Sequence, residues 1–437
     1  MPSPPLRLAV AALLGATLAG CGKSLPAEGQ GRGAAVTTVA STSELAVSGT
    51  VTKNTTRLGG SDPVADAAAV ALAVHPGLTP ATRPQAVVLV DKRAWPVALA
   101  AAALASYPLQ APLLYSEGNS LPAISGQALA TLRPTGTPLL AGAQVIEIGT
   151  SAAPAGYRVR LPSAGSAGPA GSGGASGNVY ALAARIENLV AAVHGGPPQR
   201  VIVVGADGPP ALAMPAAGLA AETGTPILLV NRRAIPAATQ TVLSTLHRPT
   251  IYVVGPSAAV SHSVFADLAR IGPVRRIDAH TGGESGAGSV ANAIGVARFK
   301  DGSFGWGVDE PGHGLVFATA ARPLDAPAAA PLSASGDYGP LLLLEHPGTV
   351  PPALAKYLSD IEPGAPEYQP VRGFYNHGWL IGDEQAIAAT TQAELDRLLE
   401  TSPQRLSATP SETSTSATSP PEASPEAAPP TTSTKSP

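Results

Sequence analysis

The 437-residue chain is short of cysteine, of aromatic side chains and of charge. One Cys excludes a disulfide scaffold and any metal site built from clustered cysteines. Aromatic residues make up 4%, too few for a platform that stacks nucleic-acid bases. Charged residues are 13%, about half of ordinary usage, and the net charge is −3. That balance excludes a basic nucleic-acid binder and an acidic solvating protein. Small residues are plentiful instead, with 47 Gly and 46 Pro and no collagen period. Any core must therefore be built from small aliphatic side chains. The length allows two or three domains that can each bury one.

The lone Cys sits at an informative place. One charge, Arg7, precedes an apolar run from Leu8 to Leu18, too short to span a bilayer as a mature helix. The run closes on Leu18-Ala19-Gly20-Cys21. This resembles a bacterial lipoprotein signal peptide ending in its lipobox; a plain secretory peptide is the alternative. The resemblance implies that residues 1–20 are removed and that Cys21 is lipidated. The expected place is the extracytoplasmic face of the cell membrane, with acyl chains such as palmitate as the anchor. Residues 21–50 read as a tether. Residues 401–437 are Ser/Thr/Pro-rich and are expected to be disordered, because they offer little apolar surface to offset chain entropy.

Between these ends the chain repeats. Pro112-Leu113-Leu114, Pro226-Ile227-Leu228-Leu229 and Pro340-Leu341-Leu342-Leu343 recur 114 residues apart. Each is followed by an aliphatic-Pro pair: Leu121-Pro122, Ile235-Pro236 and Val350-Pro351. Unbroken apolar runs lie upstream at 86–90, 201–204 and 315–318, as expected of strands buried on both faces of a parallel sheet. Ala-rich stretches at 94–106, 210–223 and 327–335 fit helices between the strands. A further strand ending on Gly149, Gly255 or Gly382 completes each copy. Gly59-Gly60, Gly173-Gly174 and Gly282-Gly283 open the copies ahead of helices, with a following Asp or Ser as the expected N-cap. The expected fold is α/β: three tandem α/β subdomains with short parallel sheets flanked by helices, in a pseudo-threefold arrangement. The units are placed at 51–160, 179–279 and 280–400, with a Gly/Ser/Ala-rich insert at 161–178.

This order of elements resembles the cell wall-binding repeat type 2 family of bacterial surface proteins. Arg57-Leu58-Gly59-Gly60-Ser61-Asp62 matches the family's opening motif, Thr225-Pro226-Ile227-Leu228-Leu229 its middle element, and Ile251-Tyr252-Val253-Val254-Gly255 through Ala259-Val260 its closing strand. The resemblance covers about residues 51–400. It departs from the pattern where Pro63-Val64 replaces an Arg-Tyr pair, and where the second and third Gly-Gly pairs lack an adjacent Arg. The family's Asp-Ala element survives only as Asp325-Ala326. The resemblance implies a non-enzymatic protein of the cell envelope that binds an anionic wall polymer.

Ligands of open parallel sheets gather at the C-terminal strand ends. The candidates there are Lys92, Arg93, Asn231, Arg232 and Arg233, which could meet phosphate or carboxylate groups or could be solvated surface. Asp325 joins them through the family motif. The Pro-Leu-Leu segments are core strands or part of a ligand groove. The Gly-Gly pairs are tight turns or backbone donors to an anion. No zinc-protease, Walker or dinucleotide motif is present, and the eight His are scattered, so no catalytic residue, metal or cofactor is expected. Ser257 stands in Gly-Pro-Ser-Ala-Ala, which lacks the last Gly of a nucleophile elbow. A solute-binding lipoprotein holding a small molecule between α/β lobes is the second reading. The expected partners are the membrane, through the lipid, and a wall polymer.

Overall fold

The computed structural model describes residues 51–160, 179–334, 338–364 and 375–400. Cys21 with its lipobox, the tether, Gly173-Gly174 with its insert, and the tail lie outside the described residues.

The chain enters through strand β1 (Thr55–Leu58) and helix α1 (Pro63–Val74). The first unit continues with β2 (Val87–Asp91), α2 (Trp95–Ala101), β3 (Leu113–Ser116), α3 (Ala123–Leu132), β4 (Val145–Ile148) and β5 (Val159–Arg160). The second runs α4 (Val179–His194), β6 (Arg200–Gly205), α5 (Pro215–Thr223), β7 (Ile227–Val230), α6 (Ala237–Thr245), β8 (Thr250–Val254), α7 (His262–Ile271) and β9 (Val274–Ile277). The third runs α8 (Ser289–Arg298), β10 (Gly314–Thr319), α9 (Asp325–Ser333), β11 (Tyr338–Leu344), α10 (Pro352–Asp360), β12 (His377–Ile381) and α11 (Ala389–Leu398). Each aliphatic-Pro pair ends on the residue before a helix: Pro122, Pro236 and Pro351 precede α3, α6 and α10. Proline's fixed φ suits that entry, where its missing N–H costs nothing.

Three four-stranded sheets result, ordered β3-β2-β4-β5, β7-β6-β8-β9 and β1-β12-β10-β11, with every named strand pair parallel. The three expected strands of each unit form, and the middle strands β2 and β10 are buried along their whole length. That is the environment their unbroken apolar runs require. Pro340, which cannot donate to a ladder, sits where the β10–β11 register shifts.

The fourth strand of each sheet escapes the sequence reading. β5 and β9 lead into the next unit yet pair with β4 and β8 of the preceding one. β1 does the same for the third sheet: Thr55 pairs with Gly378 and Leu58 with Ile381. The first strand of the chain thus closes a ring of three units. These strands read Thr-Thr-Arg-Leu, Val-Arg and Val-Arg-Arg-Ile, short and polar, so no apolar run betrays them.

The Ala-rich crossover helices meet one another. α5 packs on α9 and on the 3-10 turn Ala102–Ala105, and α9 packs on α1. The residues from Val97 to Ala105 are at most 3% exposed. Small side chains let these axes approach closely, which is where much of the Ala content is used. Asp62 caps α1 as expected, accepting from the amides of Val64 (2.8 Å) and Ala65 (3.0 Å). Ser285 does not cap α8, which starts after Gly288 instead.

Candidate functional site

The C-terminal strand ends form a rim that is stitched the same way in each unit. A tight turn follows the second strand, closed by Glu117–Ser120, Asn231–Ala234 and His346–Thr349 bridges. A carbonyl in each turn is held from the region after the third strand. Gly118 O accepts from Thr150 Oγ1 (2.7 Å), Arg232 O from the Ser261 amide (3.0 Å), and Pro347 O from the Ala388 amide (2.9 Å). An acid at or just past the end of β2 or β6 holds two of the turns: Asp91 accepts from the Gly118 amide at 3.2 Å and Asp207 from the Arg232 amide at 2.7 Å.

The charges on this rim differ between units. In the first, Arg93 Nη2 pairs with Asp91 Oδ2 at 2.6 Å and Lys92 Nζ with Glu117 Oε1 at 3.1 Å. Burial pushes the Asp91 carboxyl up, but hydrogen bonds from Arg93 and from the Arg93 and Gly118 amides outweigh it and hold it below the usual carboxylate value. Lys92 and Arg93 are therefore largely neutralised by their own unit. In the second unit Asn231 accepts a hydrogen bond from the Tyr180 hydroxyl. Arg232 and Arg233 are exposed, and among the described residues their side chains form no ion pair. In the third, Glu345 and His346 are exposed. Asp325 is fully buried at the start of α9, and its contacts run to Arg322 and Asp66 instead of to solvent.

The Pro-Leu-Leu segments lie inside: Leu113, Leu114, Ile227, Leu228, Leu229, Leu341 and Leu342 are each at most 3% exposed. The carbonyls of Pro112 and Pro226 accept from the Val88 and Ile202 amides, both at 2.9 Å, which starts the ladder of the strand that follows.

Arg57 has a structural task that spacing alone did not show. From the edge strand it donates to the carbonyls of Gly382 (3.0 Å), Asp383 (2.7 Å) and Ile387 (2.7 Å), and Nε reaches Gln392 Oε1 at 3.1 Å. Arg276 on β9 repeats this on Gly255 (2.6 Å) and Val260 (2.9 Å). The strand that leads into the third unit thus carries a clamp arginine. It stands six residues before Gly282, whereas Arg57 stands two before Gly59, and the longer connection hides the match. Burial lowers both guanidinium pKa values, opposed by Glu384 and Asp383 at Arg57 and by Asp278 at Arg276.

A cavity of about 260 Å³ opens at the opposite strand ends, lined by His194, Arg200, Thr223 and Thr225 among others. All its lining residues fall between 190 and 225, within one unit and not between lobes. Among the described residues no group of three His, Cys, Asp or Glu could hold a metal, and no helix is long and apolar enough to cross a membrane. Ser257 and His262 are both exposed, and no hydrogen bond joins them.

The model of the family described as cell wall binding domain 2 (CWB2) matches residues 175–265. The fold is similar to that of Cwp6 from Clostridium difficile, with a TM-score of 0.60 and 18% identity over 79% of this chain and 48% of that one. It is also similar to Cwp8 from Clostridium difficile, with a TM-score of 0.55 and 19% identity over 80% of this chain and 52% of that one. The chain spans about half the length of these two proteins. A search of curated proteins found no match. Residues 175–265 thus match the cell wall binding domain 2 model, and the described residues fold as three α/β units built on four-stranded parallel sheets.

Proposed function

We propose that this protein is a non-enzymatic component of the bacterial cell envelope that binds an anionic wall polymer while a lipid on Cys21 holds it to the membrane. One observation carries the binding half. Among the described residues the Arg232 and Arg233 side chains have no ion-pair partner at the strand-end rim, and they lie inside the segment matched by the cell wall binding domain. A guanidinium pair without an internal counter-ion can take up phosphate or carboxylate groups bidentately. The first unit, whose Lys92 and Arg93 already face Asp91 and Glu117, contributes less. Asn231 positions the turn through Tyr180, and Asp325 acts from within the protein. The lipid half rests on the sequence Leu18-Ala19-Gly20-Cys21.

Purified cell walls should retain the protein carrying Cys21→Ser, and stripping the anionic polymers chemically should release it. Retention by neither the wall nor the isolated polymer overturns the binding reading. Membrane association that survives Cys21→Ser would overturn the anchor.

A further inference from the structure

The three seams between units are built differently. At one position of each unit's first helix stand Asp66 on α1, Ala181 on α4 and Asn292 on α8, as the runs Val64-Ala65-Asp66-Ala67 and Val290-Ala291-Asn292-Ala293 align. Asn292 reaches into the second unit with a neutral hydrogen bond, Nδ2 to Leu212 O at 3.0 Å. Only Asp66 brings a charge. It faces the third unit, so its seam is the one that closes the ring and joins residues 256 positions apart.

There Asp66 and Asp325 are both 0% exposed and share one guanidinium. Arg322 pairs with Asp66 Oδ2, and its Nε lies 2.9 Å from Asp325 Oδ2. Asp66 Oδ1 accepts from the Gly60 amide at 2.7 Å. The Arg322 Nε–H is poorly directed at Asp325, whose oxygens are left without a well-formed hydrogen bond. Yet the two carboxyls lie within hydrogen-bonding reach of each other. The other titratable groups around them do not supply a donor. Tyr115 on β3 spends its hydroxyl on Leu324 O at 2.6 Å. Asp62 is turned to the cap of α1 and Arg57 to the carbonyls around Gly382. The only titratable group of α5, Glu222, lies at the other end of that helix near Lys300, and α2 has none. Two buried carboxylates and one guanidinium leave a net negative charge, and a contact between two acceptors is favourable only with a proton in it.

We propose that the Asp66–Arg322–Asp325 cluster is a proton-operated latch on the ring-closing seam: protons held between the two carboxyls keep α1 packed on α9, and their loss as pH rises loosens that one seam. Burial pushes Asp66 up to about 6, against the pull of Arg322 and the Gly60 amide. Burial, reinforced by the neighbouring Asp66, pushes Asp325 well above the carboxylate range. Both folded values exceed the unfolded one, so the folded chain binds more protons and loses stability as they leave. The seam is tightest at or below about pH 4 and weakens as pH rises through about 6 and beyond.

Amide exchange of the full chain, followed by mass spectrometry at about pH 5 and about pH 8 and corrected for intrinsic rates, tests this. Peptides of α1 and α9 should lose protection at the higher pH, while those of α7 should not. Asp325→Asn supplies a donor to Asp66 without titrating, so it should abolish the difference. Should that variant fail to fold, Asp66→Asn makes the same test from the other side. A wild-type-minus-variant infrared difference band of a protonated carboxylic acid at neutral pH, in excess of what Glu187 contributes to both proteins, would report the shared proton itself. Equal pH dependence in wild type and variant, or no such difference band, overturns the proposal.

Discussion

The Arg57 guanidinium donates to the carbonyl of Ile387 at 2.7 Å, and Arg276 does the same to Val260 at 2.9 Å one unit earlier. Each arginine sits on a strand that leads into one unit and completes the sheet of another. At Arg57 the bond therefore ties together pieces 330 positions apart in the sequence.

Truncating Arg57 should destabilise the fold. Arg57→Ala strands the carbonyls of Gly382 and Ile387 in a buried place, which costs about 2–3 kcal/mol. Arg57→Lys should recover only part of it, because an ammonium cannot span the same fork. Urea unfolding of the two variants measures both effects; a loss below about 1 kcal/mol for Arg57→Ala would contradict the clamp.

Gly295 lies within α8, where alanine would ordinarily gain about 1 kcal/mol of helix propensity. A Cβ there would stand 2.2 Å from the backbone oxygen of Asp278. Backbone cannot give way as a side chain can, so the clash wins. Gly295→Ala should be destabilising by about 1–3 kcal/mol, seen as a lower Tm.

Arg298 binds three acids at once: Glu284 at 2.9 Å, Asp309 at 2.7 Å and Asp360 at 2.7 Å, with its guanidinium over the Tyr357 ring. Its side chain is 17% exposed. Arg298→Ala removes the cation shared by three clustered carboxylates, of which Asp360 keeps Lys356 at 2.8 Å, and should cost about 2 kcal/mol. Calorimetry should show this penalty as a lower Tm.

Glu187 is buried on α4, and burial raises its carboxyl to about 7. The folded state thus holds this proton more tightly than the unfolded one. Its contribution is fully present below about pH 4.5 and is lost as pH rises through about 7. Glu187→Gln should therefore raise Tm at about pH 8 and leave it little changed at about pH 4.5. Identical melting profiles for variant and wild type across that range would contradict the assignment.

Arg232→Glu together with Arg233→Glu should abolish most wall retention without lowering Tm, since both side chains are exposed. Wild-type retention should weaken with added salt, as exposed charge pairs do. Unchanged retention of the double variant would move the binding site away from this rim.

Sequence alone determined the strands and helices that repeat. Three unbroken apolar runs, three Pro-Leu-Leu segments and three aliphatic-Pro pairs each found their place, because burial on both faces of a parallel strand favours apolar residues. It also brought the rim residues to the correct strand ends. It did not reveal β1, β5 and β9, whose residues are few and polar and which are strands only because a neighbouring sheet offers them an edge. Nor did it separate Arg93 from Arg232. Both look like free cations in a row of letters, and only tertiary structure sets one against Asp91 and leaves the other open. Asp325 shows the same limit: its place in a family motif suggested a ligand, whereas its burial opposite Asp66 depends on a contact across the whole ring. Periodicity is a local property and survives in sequence. Pairing of charges across distant segments is decided by how the ring closes.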